Sequence, residues 1–138
     1  MASLIYNSAI DDMARGAIDA DTDSFKAMLV TSSYTPNKDT DLKRSAVTNE
    51  VSGTGYTAGG VASVCTVTKD TANDKVTLSF AAVSWASSTI TARALVIYKS
   101  RGGASSADEL VCYVDFGSDV SSSGGTFSVT SSVITLQN

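Results

Sequence analysis

The spacing of apolar positions changes once along the chain, near residue 20. Before it, Ile5, Tyr6, Ala9, Ile10, Met13 and Ala17 recur at intervals of one, three and four, the stripe of an amphipathic helix. Ser3 is placed to cap such a helix and Gly16 to end it, with Asp11, Asp12 and Arg15 on the outer face. Residues 1–20 therefore read as a short helix packed on the domain, or as an arm reaching a neighbouring subunit. After it, the period is that of strands. Residues 25–31 have the length and the branched or aromatic content of a strand buried on both faces. Residues 61–69 and 75–82 flank a turn at 70–74 and predict a hairpin; in its second arm Val76, Leu78 and Phe80 alternate with Lys75, Thr77 and Ser79. Trp85 follows. Residues 91–98 then predict a central strand in which Arg93 requires a partner. A loop opens at Arg101, after which Leu110, Cys112, Val114 and Phe116 alternate with Val111, Tyr113 and Asp115. Gly- and Ser-rich residues 121–125 separate this run from Phe127 and Val129, and Ile134 with Leu136 marks a last short strand. About seven or eight strands joined by Gly, Ser, Asn and Asp turns predict a mainly β protein, a two-sheet sandwich or jelly-roll-like fold in one domain over 1–138.

Two segments interrupt this pattern. Asp19, Asp21 and Asp23 copy the first half of a calcium loop, but Ser24 stands where glycine is needed and Val30 where a bidentate glutamate is needed. A solvated turn feeding the strand is the better reading, made by side-chain bonds to nearby N–H groups. Residues 32–60 form a long loop with only a short helical turn near Leu42, Lys43 and Arg44. Loops of that length in a compact domain are often functional, which makes it the leading candidate for a partner surface. Its glycines do not make a phosphate loop, because the stretch 53–60 opens no helix and carries no Lys-Ser/Thr pair.

Composition narrows the chemistry. The 138 residues contain no histidine, which removes Ser-His-Asp and Cys-His catalysis and every His-bearing metal site. Asp115 and Asp119 near Tyr113 are the nearest thing to a glycosidase pair, but only 7% of residues are aromatic and most of those fall in strand patterns that predict core. No catalytic residue, cofactor site or metal site emerges. The net charge of -4, with basic residues scattered apart from Lys43 and Arg44, lacks the positive field that phosphate binding requires, so nucleic acid is not an expected partner. No apolar run approaches the roughly 20 residues that cross a bilayer, and the N-terminus has no secretory pattern, so neither a membrane nor export is expected. Cys65 and Cys112 each lie in a strand-like apolar run, where two buried free thiols are the simplest reading and a cross-strand disulfide the alternative.

The wording of two blocks is more specific than these counts. Ile18-Asp19-Ala20-Asp21-Thr22-Asp23 leading into the strand from Phe25 to Thr31, then Ser32-Ser33-Tyr34-Thr35-Pro36, resembles a pattern in small virion proteins of tailed bacteriophages. Thr48-Asn49-Glu50-Val51-Ser52-Gly53-Thr54-Gly55-Tyr56-Thr57-Ala58-Gly59-Gly60 is similar to a second block of that family. Trp85, the run from Ser88 to Tyr98, Asp115-Phe116-Gly117 and Gly124-Gly125-Thr126-Phe127 look like its second half, so the resemblance spans nearly the whole chain. Asp41 departs from it, since relatives often carry His nearby.

The resemblance implies a non-enzymatic bacteriophage structural protein, a capsid decoration (cement) protein on the virion surface, assembled in the host cytoplasm. It would bind the major capsid protein as a homo-oligomer, a dimer or trimer. The alternative is a tail or fibre component binding a host glycan or protein. From loop length and expected exposure, contact is assigned to Leu4, Ile5 and Tyr6 in the N-terminal segment and to Tyr34, Pro36, Lys43 and Arg44 in the long loop.

Overall fold

A computed structural model describes residues 2–138. It is mainly β and sandwich-like, with one short N-terminal helix. Ten strands run in the order β1 (Leu4–Ile5), β2 (Phe25–Val30), β3 (Val61–Ala62), β4 (Cys65–Asp70), β5 (Lys75–Phe80), β6 (Val83–Ser88), β7 (Thr91–Lys99), β8 (Leu110–Ser121), β9 (Gly125–Val129) and β10 (Ser132–Gln137). Eight of them have five residues or more; of the two short ones, β1 is not anticipated by the sequence pattern and β3 is the start of the strand expected at 61–69. The strands form a five-stranded sheet in the order β1-β8-β7-β2-β3, a three-stranded sheet β10-β5-β4 and a pair β6-β9. All named pairings are antiparallel.

The N-terminal helix α1 (Asn7–Arg15) is shorter than its periodicity predicts, because Leu4 and Ile5 pair with Tyr113 and Cys112 as β1. Gly16 ends it as expected, in the left-handed conformation, with its N–H on the Asp12 and Met13 carbonyls. Ser3 does not cap it. Tyr6 occupies that position without a side-chain bond, and the Ser3 hydroxyl instead accepts the Asp115 N–H at 2.8 Å.

The expected strand 61–69 is two strands in different sheets. Val61 and Ala62 pair with β2, the Ser63 N–H reaches the Phe25 carbonyl, and Cys65 onward pairs with β5 as the expected hairpin. In β8 the expected alternation fails, because β7 and β8 shift register opposite Ile97 and Tyr98. One extra residue there places both Val111 and Cys112 on the face of Val114 and Phe116, with Leu110 and Tyr113 on the other. A second shift, between Ala92 and Ala94, brings Ala92 onto the face of Leu95 and Ile97.

Two cores result, one on each face of the five-stranded sheet. The larger lies between that sheet and the two smaller ones and contains Phe25, Leu29, Leu78, Phe80, Trp85, Ile97, Phe127 and Ile134, with edge-on ring contacts Phe25–Phe80 and Trp85–Phe127. The smaller, on the opposite face, gathers Tyr6, Met28, Val30, Tyr34, Val96, Tyr98, Leu110 and Tyr113. No other sheet covers that second face. Residues 31–60 do.

Gly60 shows how closely the end of the loop is laid along the β2 edge, just before Val61 and Ala62 pair with it. At φ 75° it sits so near the Ala27 backbone that a Cβ would collide with the Ala27 carbonyl. Gly60→Ala should lower stability by several kcal/mol, more than a positive-φ penalty of about 1 kcal/mol alone. Gly124→Ala, also at positive φ but with open space around it, should cost only about that backbone penalty. Equal midpoints for the two variants in urea would contradict this packing.

Candidate interaction surface

The long loop and the N-terminal segment, the two stretches singled out for partner contact, are bonded to one another and to the sheet. Three polar clamps hold them. In the first, Tyr34 donates its hydroxyl proton to Asp41 Oδ2 at 2.8 Å, so the 2.9 Å contact between the Tyr6 and Tyr34 hydroxyls must have Tyr6 as donor. Asp41 also accepts the Asn37 N–H at 3.0 Å. Burial raises both tyrosine pKa values well above the ordinary range, and Asp41 adds to the rise. Just beyond, the Asn7 N–H meets the Lys38 carbonyl at 3.0 Å and the Asn7 amide donates to Asp39 at 2.6 Å. The first turn of α1 is thus seated on the loop.

The second clamp is ionic. Asp108 and Glu109, at the entrance to β8, have side chains only 1% exposed. Arg44 Nε lies 2.8 Å from Asp108 Oδ2, while Lys43 Nζ and Arg101 Nε lie 3.2 and 2.5 Å from the two oxygens of Glu109. The Arg101 N–H adds a 2.9 Å bond to Asp108, and the Arg44 guanidinium lies 4.9 Å above the Tyr98 ring. Two buried anions facing three cations are compensated; removing a cation would leave a desolvated carboxylate.

The third clamp explains the glycine-rich block. Glu50 Oε1 accepts the Tyr56 hydroxyl at 2.7 Å and the Gly59 N–H at 2.6 Å. The Tyr56 oxygen accepts the Leu29 N–H at 3.0 Å, and the Tyr98 hydroxyl donates to the Gly59 carbonyl at 2.6 Å. Gly53 and Gly55 take positive φ where a Cβ would strike the backbone of Thr89 and of Ser87 and Ser88. The block's polar groups and glycines are spent on tying the loop down.

These contacts revise the expected contact residues. Tyr6, Tyr34 and Pro36 are buried, contrary to the exposure expected of them; Tyr6 and Tyr34 are so because they pack into the core on the second face of the sheet. Leu4 and Ile5 are half-buried in β1, and Lys43 and Arg44 are half-buried in the ionic clamp. What this side of the molecule does present is Ile10 on α1, 57% exposed, and Leu42 in the loop, 52% exposed. Ile10 belongs to the helical stripe from which the sequence predicts burial, but Ala9, one residue earlier, takes the inward position.

Elsewhere, Arg93 has its required partner in Asp115, 2.8 Å away, which holds that carboxyl below its usual range. The Asp19–Asp23 segment forms the expected turn: the Asp23 carboxylate accepts the Asp19 N–H at 2.7 Å and pairs with Lys99 at 2.8 Å. Burial acts to raise the Asp23 pKa, but these bonds outweigh it and the net shift is downward. Cys65 and Cys112 are both buried free thiols, and burial pushes Cys112 up to about 12. Among the described residues no three Cys, Asp or Glu side chains converge as a metal site would require, and no helix is long and apolar enough to cross a membrane.

The chain matches no family model, and neither curated proteins nor solved structures yield a match.

Arg44→Met should destabilise the protein by about 3–5 kcal/mol in urea titration, since Asp108, only 1% exposed, is left as a buried carboxylate without its guanidinium; a loss below about 1 kcal/mol would mean that the clamp behaves as a surface pair. Stability should also depend on pH at both extremes. Asp23 and Asp115 are depressed, so their contribution is complete above the ordinary Asp pKa of about 3.9 and is lost as pH falls through their folded values. Tyr6, Tyr34 and Tyr56 are raised, so theirs is complete below about pH 10 and is lost as pH rises beyond it. The melting temperature should be flat from about pH 5 to about pH 8, above which the raised Cys65 and Cys112 thiols begin the decline that the tyrosines continue; a midpoint that climbs on acidification below about pH 4 would contradict the signs.

Proposed function

We propose that this protein is a structural component of a tailed-bacteriophage virion, a capsid decoration protein that binds the assembled head and stabilises it. The observation that carries this reading is the resemblance of its two central blocks and its second half to small phage virion proteins. The way the block residues are used supports it. Glu50, Tyr56, Gly59 and Gly60 form a fastening for a loop, a scaffolding role that suits a protein whose work is to fold and to bind.

Binding a lattice stabilises it by mass action, because the bound subunits are favoured over the free ones. The multiplicity of sites on a head lets a modest contact act many times over. A surface with the net charge of -4 spread around a few exposed apolar residues suits a protein that stays soluble before docking. The major capsid protein is the expected partner, and Ile10 with Leu42 is the exposed apolar pair beside the N-terminal helix that would meet it.

The glycan-binding alternative calls for an exposed cluster of aromatic planes. None of the Trp, Tyr or Phe side chains is exposed: Trp85 is buried between Tyr56 and Phe127, and four of the five tyrosines are buried. No observation favours that second reading.

Purified protein mixed with expanded, empty heads should co-sediment with them at about micromolar concentration, and absence of binding there would overturn the decoration reading. Replacing Ile10 and Leu42 together by lysine should weaken binding at least tenfold, roughly 1.4 kcal/mol, without lowering the melting temperature. Deleting residues 1–7, by contrast, should destabilise the fold itself, because it removes β1 and buried Tyr6.

A further inference from the structure

The outer edge of β10 is an unguarded sheet edge, and we propose that it is the dimerisation surface of this protein, pairing antiparallel with β10 of a second copy about a two-fold axis at Thr135.

Sheet edges are normally protected by charge, proline, a bulge or brevity. The other edges here show these devices. β3 and β1 are two residues long, β4 ends in Lys69 and Asp70, and the distal half of β8 carries Asp115, Asp119 and the left-handed Gly117 at φ 84°. The β6-β9 pair shifts register between Trp85 and Ser88, with Ser87 at φ 51°. β10 has none of them. Its six residues, Ser-Val-Ile-Thr-Leu-Gln, are uncharged, contain neither glycine nor proline, and pair with β5 without interruption from Ser132 opposite Phe80 to Gln137 opposite Lys75.

The phase of the ladder fixes which groups the edge offers. The Asn138 N–H bonds the Asp74 carbonyl in step with the β10–β5 register, so the even-numbered residues of β10 turn their peptide groups toward β5. The Ala81 N–H on the Val64 carbonyl sets the same phase from the far side of β5. Val133, Thr135 and Gln137 therefore turn their N–H and C=O groups outward, a row that water solvates until another strand pairs with it.

A second copy fits it in one register. A two-fold axis normal to the sheet keeps the inner faces of both copies on one side, and outward peptide groups must meet outward peptide groups. Both conditions hold with Thr135 opposite the second copy's Thr135 and Val133 opposite its Gln137, which satisfies every outward donor and acceptor from 133 to 137 on both copies. The same register sets Ile134 opposite Leu136, covering a leucine that is 49% exposed, and brings no charged side chains of β10 into opposition. Beside the strand, the groove lined by Leu4, Ile5, Val114, Phe116 and Val129 leaves this edge accessible. A ladder about 20 Å long is a small interface, so dissociation in the micromolar range is expected. This proposal does not depend on a virion role.

Sedimentation equilibrium from about 1 to 200 µM should show a monomer–dimer equilibrium, and Thr135→Lys, which opposes two ammonium groups across the axis, should weaken it at least tenfold. Thr135→Pro should do the same while keeping the fold, since the lost N–H points away from β5. Independently of those variants, Thr135→Cys should form an intermolecular disulfide on mild oxidation, its Cα atoms lying about 5.5 Å apart across the axis, whereas Val133→Cys should not. A wild-type protein that is monomeric at about 200 µM overturns the proposal and leaves the edge to a strand of another protein. A dimer that survives both Thr135 variants, or cross-linking through Val133→Cys in place of Thr135→Cys, overturns it as well.

Discussion

The five-stranded sheet is apolar on both faces, and the rest of the molecule is arranged around that constraint. In β2 and β7 most residues are buried, with Leu29, Leu95 and Ile97 on one side and Met28, Val96 and Tyr98 on the other. The two smaller sheets can cover only the first side. The second is covered by Tyr6 and the first half of the long loop, which has only the short helical turn at Arg44–Ala46 and brings many peptide groups that must find partners when buried. The tyrosine chain, the ionic clamp and the Glu50 fastening are the answer: each places a few strong acceptors where a loop would otherwise leave donors unsatisfied.

This arrangement has an energetic consequence. Burying Asp108 and Glu109 is costly, and their attraction to Lys43, Arg44 and Arg101 offsets the desolvation without a large surplus. The tighter effect is on position. The paired carboxylates accept only a loop that delivers Lys43 and Arg44 to that corner, just as Gly60 accepts only a backbone lying directly on Ala27. The cover is held in one register on the sheet, and the surface that remains for partners consists of what the cover leaves out.

Much of this was legible in the residues. The strand runs at 25–31, 75–82 and 91–98, the hairpin turn, the helix end at Gly16 and the need of Arg93 for a partner all follow from period, turn chemistry and charge, and the structure has them. The contact residues were not legible. Tyr6, Tyr34 and Pro36 sit in stretches that look like exposed loop and arm, and nothing local distinguishes a loop in water from a loop serving as the lid of a sheet. A signal was present in the double-sided apolar runs of β2 and β7, which require cover on both faces without saying what supplies it. The faces of β8 were likewise hidden, since a bulge is set by the partner strand opposite it.

A mainly β, histidine-free acidic domain with a short N-terminal helix can be read directly from the residues, because those properties rest on composition and on spacing between near neighbours. It takes the folded molecule to show that the long loop is part of the core, that the Thr-Asn-Glu-Val block is a fastening, and that among the described residues β10 is the long edge without a guard. Each of these is a relation between residues tens of positions apart. Burial and edge status belong to neighbours brought together by folding, and no local pattern contains them.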